Sequence, residues 1–436
     1  MPIVFLVVSL LSREVGLFGS VAYGVGIILG AGVYVLIGSA AGLAGNSVWL
    51  AFVVGALISS FTGLSYAELS TMYPKAAAEY VYVKRAFGSE LLAFLTGWMI
   101  IFSGVVSMST VSLGFASYFS ALFASPVIVS AVVLLILLSI LNFVGIKESS
   151  RVNMLLTAVE VGGLLLVIVL GLGKAGPVNY LDVPSVSGVF SAAALMFFAY
   201  LGFEDVVNIA EEIKNPKKNL PRALILSIVV TTVFYVLVAL AVVSLVSWET
   251  LGISDAPLAL AVSTVLGPNG FLVMSYVALF ATANTVLITS IVGSRMIYGM
   301  AKDAALPKTL SRIYGKTKTP WIAIFAMMIF SLPFVFLGNV QLVANMTSLG
   351  VFITFAFVNL SLIWLRYKEP GFKRPFRVPL SIGRLPVIPF LGLLSCLLMV
   401  SQFDVYVVLF GLLLLGFGVV IFKVYRKKKP SLDKRS

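Results

Sequence analysis

The residues of this chain that could do chemistry are few and sit in unusual places. Glu160 stands alone in the apolar run between Arg151 and Lys174. Glu204 and Asp205 closely follow Gly202 at the end of another apolar run, while Gly24, Gly26, Gly30 and Gly32 crowd into nine residues of the first one. A carboxyl group at the centre of a membrane costs about 2.5–3.5 kcal/mol on insertion scales. Burial disfavours its charged form, so such a group can carry a proton, meet a cation, or stay protonated against a neighbouring helix. Glycine costs about 1 kcal/mol per helical position relative to alanine. A cluster of glycines therefore marks either close helix packing or an unwound stretch. In an unwound stretch the freed N–H groups can hold an anion and the freed C=O groups a cation. Composition removes other options. The chain has no histidine and one cysteine, Cys396, which excludes His-based acid–base work, His metal sites, a disulfide within the chain and a Cys cluster. Cys396 itself reads as a small apolar side chain. A P-loop sequence is also missing, so ATP does not drive the chain directly.

The elements that must position these residues follow from composition. Of the 436 residues 60% are hydrophobic and 11% charged, with mean hydropathy +1.09. Soluble domains run at roughly 45–50% apolar and about 25% charged. The excess points to a polytopic membrane protein. Runs without Asp, Glu, Lys or Arg cover 15–67 and 91–146 (two spans each), 183–203 and 223–248 (one each). Residues 152–173 give one span, interrupted only by Glu160. The run 256–294 gives one span plus a loop or short helix near Pro257–Gly270, and 319–365 gives two. The runs 385–403 and 405–422 give one each, for twelve helices in all. Continuous runs without period-two alternation disfavour a β-barrel. With the N-terminus inside, 29 of the 30 basic residues fall on cytoplasmic segments and only Lys174 falls outside. The net charge of +13 is thus a topology signal and no nucleic-acid footprint, with both termini cytoplasmic in the cell membrane. The apolar start, residues 1–12, is too short to span, and a basic residue follows rather than precedes it, the wrong order for a secretory signal. It is given no role.

The two glycine-marked stretches occupy corresponding positions. They lie in the first helices of two consecutive five-helix blocks, and interrupted helices at matching places in two halves point to an inverted-repeat transporter site. Unwound backbone is tolerated at that depth only where it is buried in protein or lines a wet cavity. A site offering both N–H and C=O groups suits a zwitterion, which implies a secondary transporter of a small polar solute such as an amino acid.

The same residues carry a resemblance. Gly26-Ile27-Ile28-Leu29-Gly30-Ala31-Gly32-Val33-Tyr34-Val35-Leu36 resembles the first-helix motif of the amino acid–polyamine–organocation (APC) superfamily, nearest its cationic amino acid transporter branch. Ser65-Tyr66-Ala67-Glu68-Leu69 through Tyr73-Pro74-Lys75, then Tyr80-Val81-Tyr82 and Ala86-Phe87-Gly88, are similar to the end of its helix 2 and the following loop. Phe198 to Phe203, Ala210-Glu211-Glu212-Ile213-Lys214-Asn215-Pro216 and Pro221 resemble helix 6 and the loop beyond. Ser294-Arg295, Met300-Ala301-Lys302-Asp303 and Leu306-Pro307 resemble the end of helix 8, so the likeness covers about residues 12–425. It implies an all-α integral membrane protein with twelve transmembrane helices. Helices 1–5 and 6–10 form a 5+5 inverted repeat with helices 1 and 6 broken, and helices 11–12 are appended. The transporter domain would be 1–425, with repeats at about 12–173 and 183–366, helices 11–12 at about 385–423 and a basic tail at 426–436. The resemblance also implies that the substrate carboxylate sits on backbone amides of Gly30, Ala31 and Gly32. The α-amino group would meet carbonyls of Ile28, Phe198, Ala199 and Leu201, with Phe198, Tyr200 and Phe203 as gating rings.

Departures from that pattern matter. Ala76-Ala77-Ala78-Glu79 replaces the glycines usual after helix 2, which should stiffen the loop, and helix 3 contains no acid. Relatives that look proton-coupled carry a lysine on helix 5 at what resembles the place of Glu160, where sodium binds in other transporters of the fold. Glu160 then has three readings: a proton carrier, a cation ligand with hydroxyls such as Thr289 or Ser290, or a protonated acid bonded to a neighbouring helix. Glu204 and Asp205 read as a helix cap, or else as a gate or proton relay, and Glu211 and Glu212 as loop ion pairs or an inner gate. The expected function is a secondary active amino acid permease working by alternating access, as proton-coupled symport or amino acid exchange. It would use no cofactor beyond a coupling proton or Na+, and no covalent catalysis. An ion channel or an intramembrane lipid-modifying enzyme is the alternative. The expected partners are an amino acid substrate and the lipid bilayer, with no nucleic acid.

Overall fold

The computed structural model describes residues 15–73, 78–174, 178–209 and 213–427. Residues 1–12, the loop residues Pro74, Lys75, Ala76 and Ala77, the acids Glu211 and Glu212, and the tail beyond Lys427 lie outside the described residues.

The first apolar run folds as two helices, α1 (Leu17–Ile28) and α2 (Ala31–Ala44), parted by Leu29 and Gly30. Next come α3 (Val48–Met72), the short α4 (Ala78–Phe87) and the long α5 (Glu90–Phe123). The Ser89 hydroxyl caps α5 by accepting from the Leu92 N–H at 3.2 Å. Its 34 residues extend about 51 Å, more than the ~30 Å hydrocarbon core, so it projects beyond the core or crosses it tilted. The first half closes with α6 (Val127–Val144) and α7 (Ile146–Leu172). The second opens with α8 (Val186–Met196), which tightens into a 3₁₀ turn at Phe197–Tyr200 and, past Leu201 and Gly202, into another at Phe203–Ile209. Then follow α9 (Pro216–Leu245), α10 (Trp248–Gly252) and α11 (Pro257–Lys302). Within α11 the backbone leaves helical geometry at Gly267 (φ 63°, ψ −155°), just before Pro268. The stretch expected as a loop or short helix is thus a short helix ending in a kink. The chain continues through α12 (Trp321–Val335) and α13 (Val340–Lys368) to a small hairpin, β1 (Ser381–Ile382) with β2 (Leu385–Pro386). It ends in α14 (Val387–Val400) and α15 (Val405–Lys427).

Eight described helical stretches are long and apolar enough to cross a membrane, and four shorter apolar helices accompany them. The outer helices turn apolar side chains outward. Val129, Val133, Leu137, Ile140 and Val144 on α6 are exposed at three- and four-residue spacing, and Leu409, Leu412, Leu413, Phe417 and Val420 form a similar stripe on α15. Lipid is the solvent such stripes require. Inside, α5 packs against α11 and α13, α3 against α9, α2 against α8, and α6 against α12. Small hydroxyl residues join these helices. Ser109 on α5 donates to the Ser331 carbonyl, and Ser331 on α12 donates back to the Val105 carbonyl, both at 2.8 Å. Asn359 on α13 donates to Thr62 and accepts from Ser65 on α3, at 3.0 and 2.6 Å. Helix association in lipid relies on such bonds and on close approach, because burying apolar surface gains little there.

Candidate functional site: a cavity between two helix breaks

Both glycine-marked stretches are broken. At the first break Leu29 (φ −66°, ψ 81°) and Gly30 (φ −121°, ψ −173°) leave helical geometry, so the C-terminus of α1 and the N-terminus of α2 face one gap. Neither conformation needs a glycine. The glycine requirement lies at Gly32, where an added Cβ would come within 2.7 Å of the Ala199 Cα. The two broken segments therefore touch backbone to backbone. At the second break Leu201 is extended and Gly202 takes φ +109°, a region that L side chains rarely adopt. A Cβ there would also meet the Ile27 Cγ2 at 2.3 Å.

Between the breaks lies a cavity of about 140 Å³. Its wall includes Ile28, Gly30, Ala31, Gly32, Phe198, Ala199 and Leu201, the seven backbone positions expected to bind substrate. Glu160 and Glu204 also line it. Tyr200 and Phe203 do not: of the three rings expected to gate, only Phe198 is on the wall. The Tyr200 hydroxyl instead donates to the Phe52 carbonyl at 2.8 Å, and Phe203 packs edge-on against Tyr66 with ring centroids 6.2 Å apart. The remaining wall is largely aliphatic, with Ile100, Ile101, Ile288, Val292, Met296 and Val351.

Neighbouring helices already hold several of the freed backbone groups. Thr285 on α11 accepts from the Ala31 N–H at 3.0 Å, satisfying one of the first N–H groups of α2. The Tyr235 hydroxyl on α9 sits 2.6 Å from the Ile28 carbonyl and 2.9 Å from that of Ala199, bridging the two breaks. A phenol has one proton, so at any moment only one of the two carbonyls receives it. The other is left for a second donor.

The acids differ in their surroundings. The Glu160 backbone carbonyl accepts from the Tyr34 hydroxyl, but both oxygens of its fully buried carboxyl group lack a hydrogen-bond partner among the described residues. Across from it on α11, Asn284 donates to Thr157 at 3.2 Å while its own Oδ1 is buried without a partner. Of the two hydroxyls named as cation ligands, Thr289 lines the cavity, whereas Ser290 is not on its wall and accepts from Asn142 at 3.0 Å. At the second break Glu204 Oε2 accepts from the Gly202 N–H at 3.0 Å, a local cap on the unwound turn.

A further acid in this cavity escaped the sequence reasoning. Glu79, near the start of α4, is buried, lines the wall and accepts from the Tyr66 hydroxyl at 3.0 Å. Burial pushes its carboxyl group above the usual range, partly offset by its own N–H and the Tyr66 hydroxyl. The signal was present, because an acid stood where glycines were expected. Together Glu79, Glu160, Glu204 and Asp205 give the wall four acids, and among the described residues no Lys or Arg lines it.

Comparison with known proteins adds an independent line. The model of the amino acid permease family matches residues 15–430. The chain is 32% identical to the branched-chain amino acid permease BcaP of Bacillus subtilis (strain 168), over 97% of this chain and 95% of the relative. It is 28% identical to the methylthioribose transporter of the same organism, with the same coverage. It is also 31% identical to the vacuolar cationic amino acid transporter 4 of Arabidopsis thaliana, over 85% of this chain and 65% of that protein.

Proposed function

Because the chain belongs to the amino acid permease family, within the APC superfamily, and is thus a membrane transporter of amino acids, we propose that it works by alternating access around the cavity between its two helix breaks. The observation that carries this reading is the cavity wall, which gathers the backbone of both breaks with four acids and an aliphatic face. The substrate carboxylate binds the N–H groups at Gly30 and Gly32, where the dipole of α2 favours negative charge, and that of Ala31 by displacing the Thr285 hydroxyl that holds it. Its ammonium group meets carbonyls of Ile28, Phe198, Ala199 and Leu201, taking whichever of Ile28 and Ala199 the Tyr235 proton leaves open. The aliphatic wall suits an apolar side chain, as a branched-chain substrate would present. Phe198 closes over the bound substrate, while Tyr200 and Phe203 pack away from the cavity against Tyr235 and Tyr66.

Transport is secondary and proton-coupled. Of its readings as relay or cap, Glu204 serves as the cap that holds the second break open, and Glu160 is the carrier. The orphaned Glu160 oxygens beside the orphaned Asn284 Oδ1 support this, since a proton on Glu160 would supply the missing donor. Na+ is the competing coupling ion, and exchange the competing mode. Covalent catalysis has no part in the cycle. The chain forms twelve spans, with the first two as α1–α2 and α3 and both termini cytoplasmic in the cell membrane. The two five-helix halves are related as an inverted repeat. Support for the repeat comes from packing: the broken helices touch each other, and α3 meets α9, α5 meets α11 and α6 meets α12, the corresponding helices of each half.

The test is uptake into liposomes holding the purified protein, with radiolabelled amino acids offered with and without a pH gradient or counter-substrate. Saturable uptake of a branched-chain amino acid, raised by an inward proton gradient, is the expected result. Saturable uptake of lysine or arginine alone would instead assign the four acids to substrate charge. Uptake of no amino acid would overturn the proposal, and an ohmic current without saturable flux would identify a channel.

A further inference from the structure

Away from the substrate cavity, the segment joining α13 to α14 concentrates charge of one sign. From Arg366 to Arg384 it carries Arg366, Lys368, Lys373, Arg374, Arg377 and Arg384 against a single acid, Glu369. The fold turns this segment back on itself, so that a cavity of about 230 Å³ opens among Arg366, Pro370, Phe372, Arg374, Arg377 and Arg384. Four guanidinium groups line one small space.

The inner pair is fixed and largely neutralised. Glu68, fully buried at the end of α3, accepts from Arg366 Nε at 2.8 Å and from Arg366 Nη2 at 2.6 Å, and its Oε1 lies 3.1 Å from Arg374 Nε. The Val378 N–H also donates to Glu68 at 2.7 Å, which pins the returning chain to the helix end. Arg374 donates further to the carbonyls of Leu365, Glu369 and Phe372. These contacts lock two forks in place with one negative charge between them. Burial presses the Arg374 guanidinium below its ordinary range, with Glu68 only partly restoring it and Arg366 and Arg377 adding to the strain.

The outer pair is exposed and has no acid. Arg377 and Arg384 make no hydrogen bond or ion pair among the described residues, although both face the cavity. Glu369, the one acid of the segment, is engaged elsewhere by the Tyr73 hydroxyl at 3.2 Å. Four arginines against Glu68 leave the cavity about three positive charges in excess, a balance that favours binding of an anion. Planar forks that converge on one space match the oxygens of a phosphate group better than those of any single carboxylate. Flanking the arginines, Leu380 and Ile382 on the hairpin are 69% and 74% exposed, and Phe372 is 40% exposed. Apolar side chains standing out beside a basic pocket at the end of a membrane helix fit an interfacial position.

We propose that this arginine-lined cavity is a phosphate site, filled by the headgroup of an anionic phospholipid while the hairpin dips into the interface. Arg366 and Arg374 form its floor, and Arg377 and Arg384 close on the phosphate from outside. The site is separate from the substrate cavity and does not depend on what the protein transports.

The full-length protein, purified in detergent and stripped of lipid, is titrated with phosphatidylglycerol, phosphatidylcholine or inorganic phosphate. Binding is read by native mass spectrometry and by the thermal midpoint. Wild type should retain phosphatidylglycerol, be stabilised by it, and be little affected by phosphatidylcholine. The double variant Arg377→Ala/Arg384→Ala leaves the Glu68 lock intact and should bind phosphatidylglycerol about thirtyfold more weakly. Arg377→Lys/Arg384→Lys keeps the charge without the forks and should lose an intermediate amount. Arginine-dependent binding of inorganic phosphate but not of phosphatidylglycerol would support the site and make its ligand a soluble phosphate. Equal phosphatidylglycerol binding by wild type and the alanine variant would overturn the proposal. So would full binding by the lysine variant, which would reduce the effect to diffuse surface attraction.

Discussion

The two helix breaks occupy corresponding places in the chain yet are furnished in opposite ways. The first, at Leu29–Gly30, has no charged residue of its own, and other helices complete it. Thr285 holds the Ala31 N–H, Tyr235 reaches the Ile28 carbonyl, and α7 supplies the acid Glu160. The second, at Leu201–Gly202, brings its own acids and caps itself through Glu204 and the Gly202 N–H. An acid that caps its own turn is already engaged, whereas Glu160 has no partner for either oxygen among the described residues. Topological equivalence therefore does not fix chemical role. One break offers backbone dipoles shared with neutral hydroxyls to a ligand and takes its titrating group from elsewhere, and the other uses its acid to hold its own shape.

The largest expected effect tests that division directly. Glu160→Gln should abolish uptake driven by a proton gradient while leaving substrate affinity within about threefold, since the carboxyl group is not among the groups that hold the zwitterion. Glu204→Gln should leave gradient-driven uptake within about threefold, because a Gln carbonyl oxygen can still accept from the Gly202 N–H. Liposome uptake at matched internal pH checks both. The reverse ranking would break the comparison. Next come the glycines. Gly202→Ala combines a positive φ with a Cβ at 2.3 Å from Ile27 and should lower uptake at least about tenfold. Gly32→Ala has an ordinary φ, but its Cβ would stand 2.7 Å from the Ala199 Cα, a backbone contact that no side-chain rotation relieves, and it should lower uptake by a similar factor. If Gly202→Ala transported normally, the second break would not be the rigid one.

Much of this was legible in the sequence, and what was missing shares one cause. The runs between charges marked the helices, because a charged side chain within hydrocarbon is costly and so bounds each run. The glycine cluster at 24–32 and Gly202 marked the breaks, because glycine in a helix needs a local reason. Thr285, Tyr235 and Asn284 were invisible: each meets its partner across 254, 207 and 127 residues of chain respectively, and each looks like an ordinary polar residue in an apolar run. Glu79 was missed because it was read only for the backbone stiffness of its loop, whereas the start of α4 buries it against Tyr66. Tyr200 and Phe203 misled in the other direction. A ring next to a break can face away from it, and a tight 3₁₀ turn swings successive side chains through about 120°.

Tyr235 is the sharper probe of how other helices complete the first break. Tyr235→Phe removes one hydroxyl and leaves two carbonyls, those of Ile28 and Ala199, without that donor. A hydrogen bond of this kind contributes about 1 kcal/mol, so KM should change by about fivefold. Its direction is informative. A lower KM means the phenol competes with the substrate ammonium group for those carbonyls, and a higher KM means the phenol aligns them for it. An unchanged KM and maximal rate would remove Tyr235 from the site.

The smallest effect concerns Glu79, which Tyr66 ties to the second break by donating to its carboxyl group and stacking edge-on against Phe203. Burial raises the Glu79 carboxyl group above its usual range, so the folded protein holds that proton more tightly than the unfolded chain does. The sign follows from linkage. The stability contributed by the protonated group is full below the unfolded value of about 4.3 and is lost as pH rises through the folded value. Glu79→Gln keeps an acceptor for Tyr66 but cannot ionise. Its melting temperature in detergent should therefore match wild type near pH 4 and exceed it by about 2 °C near pH 8. If wild type were instead the more stable at the higher pH, the Glu79 charge would be held by a partner, and the second break would depend on outside electrostatics just as the first one does.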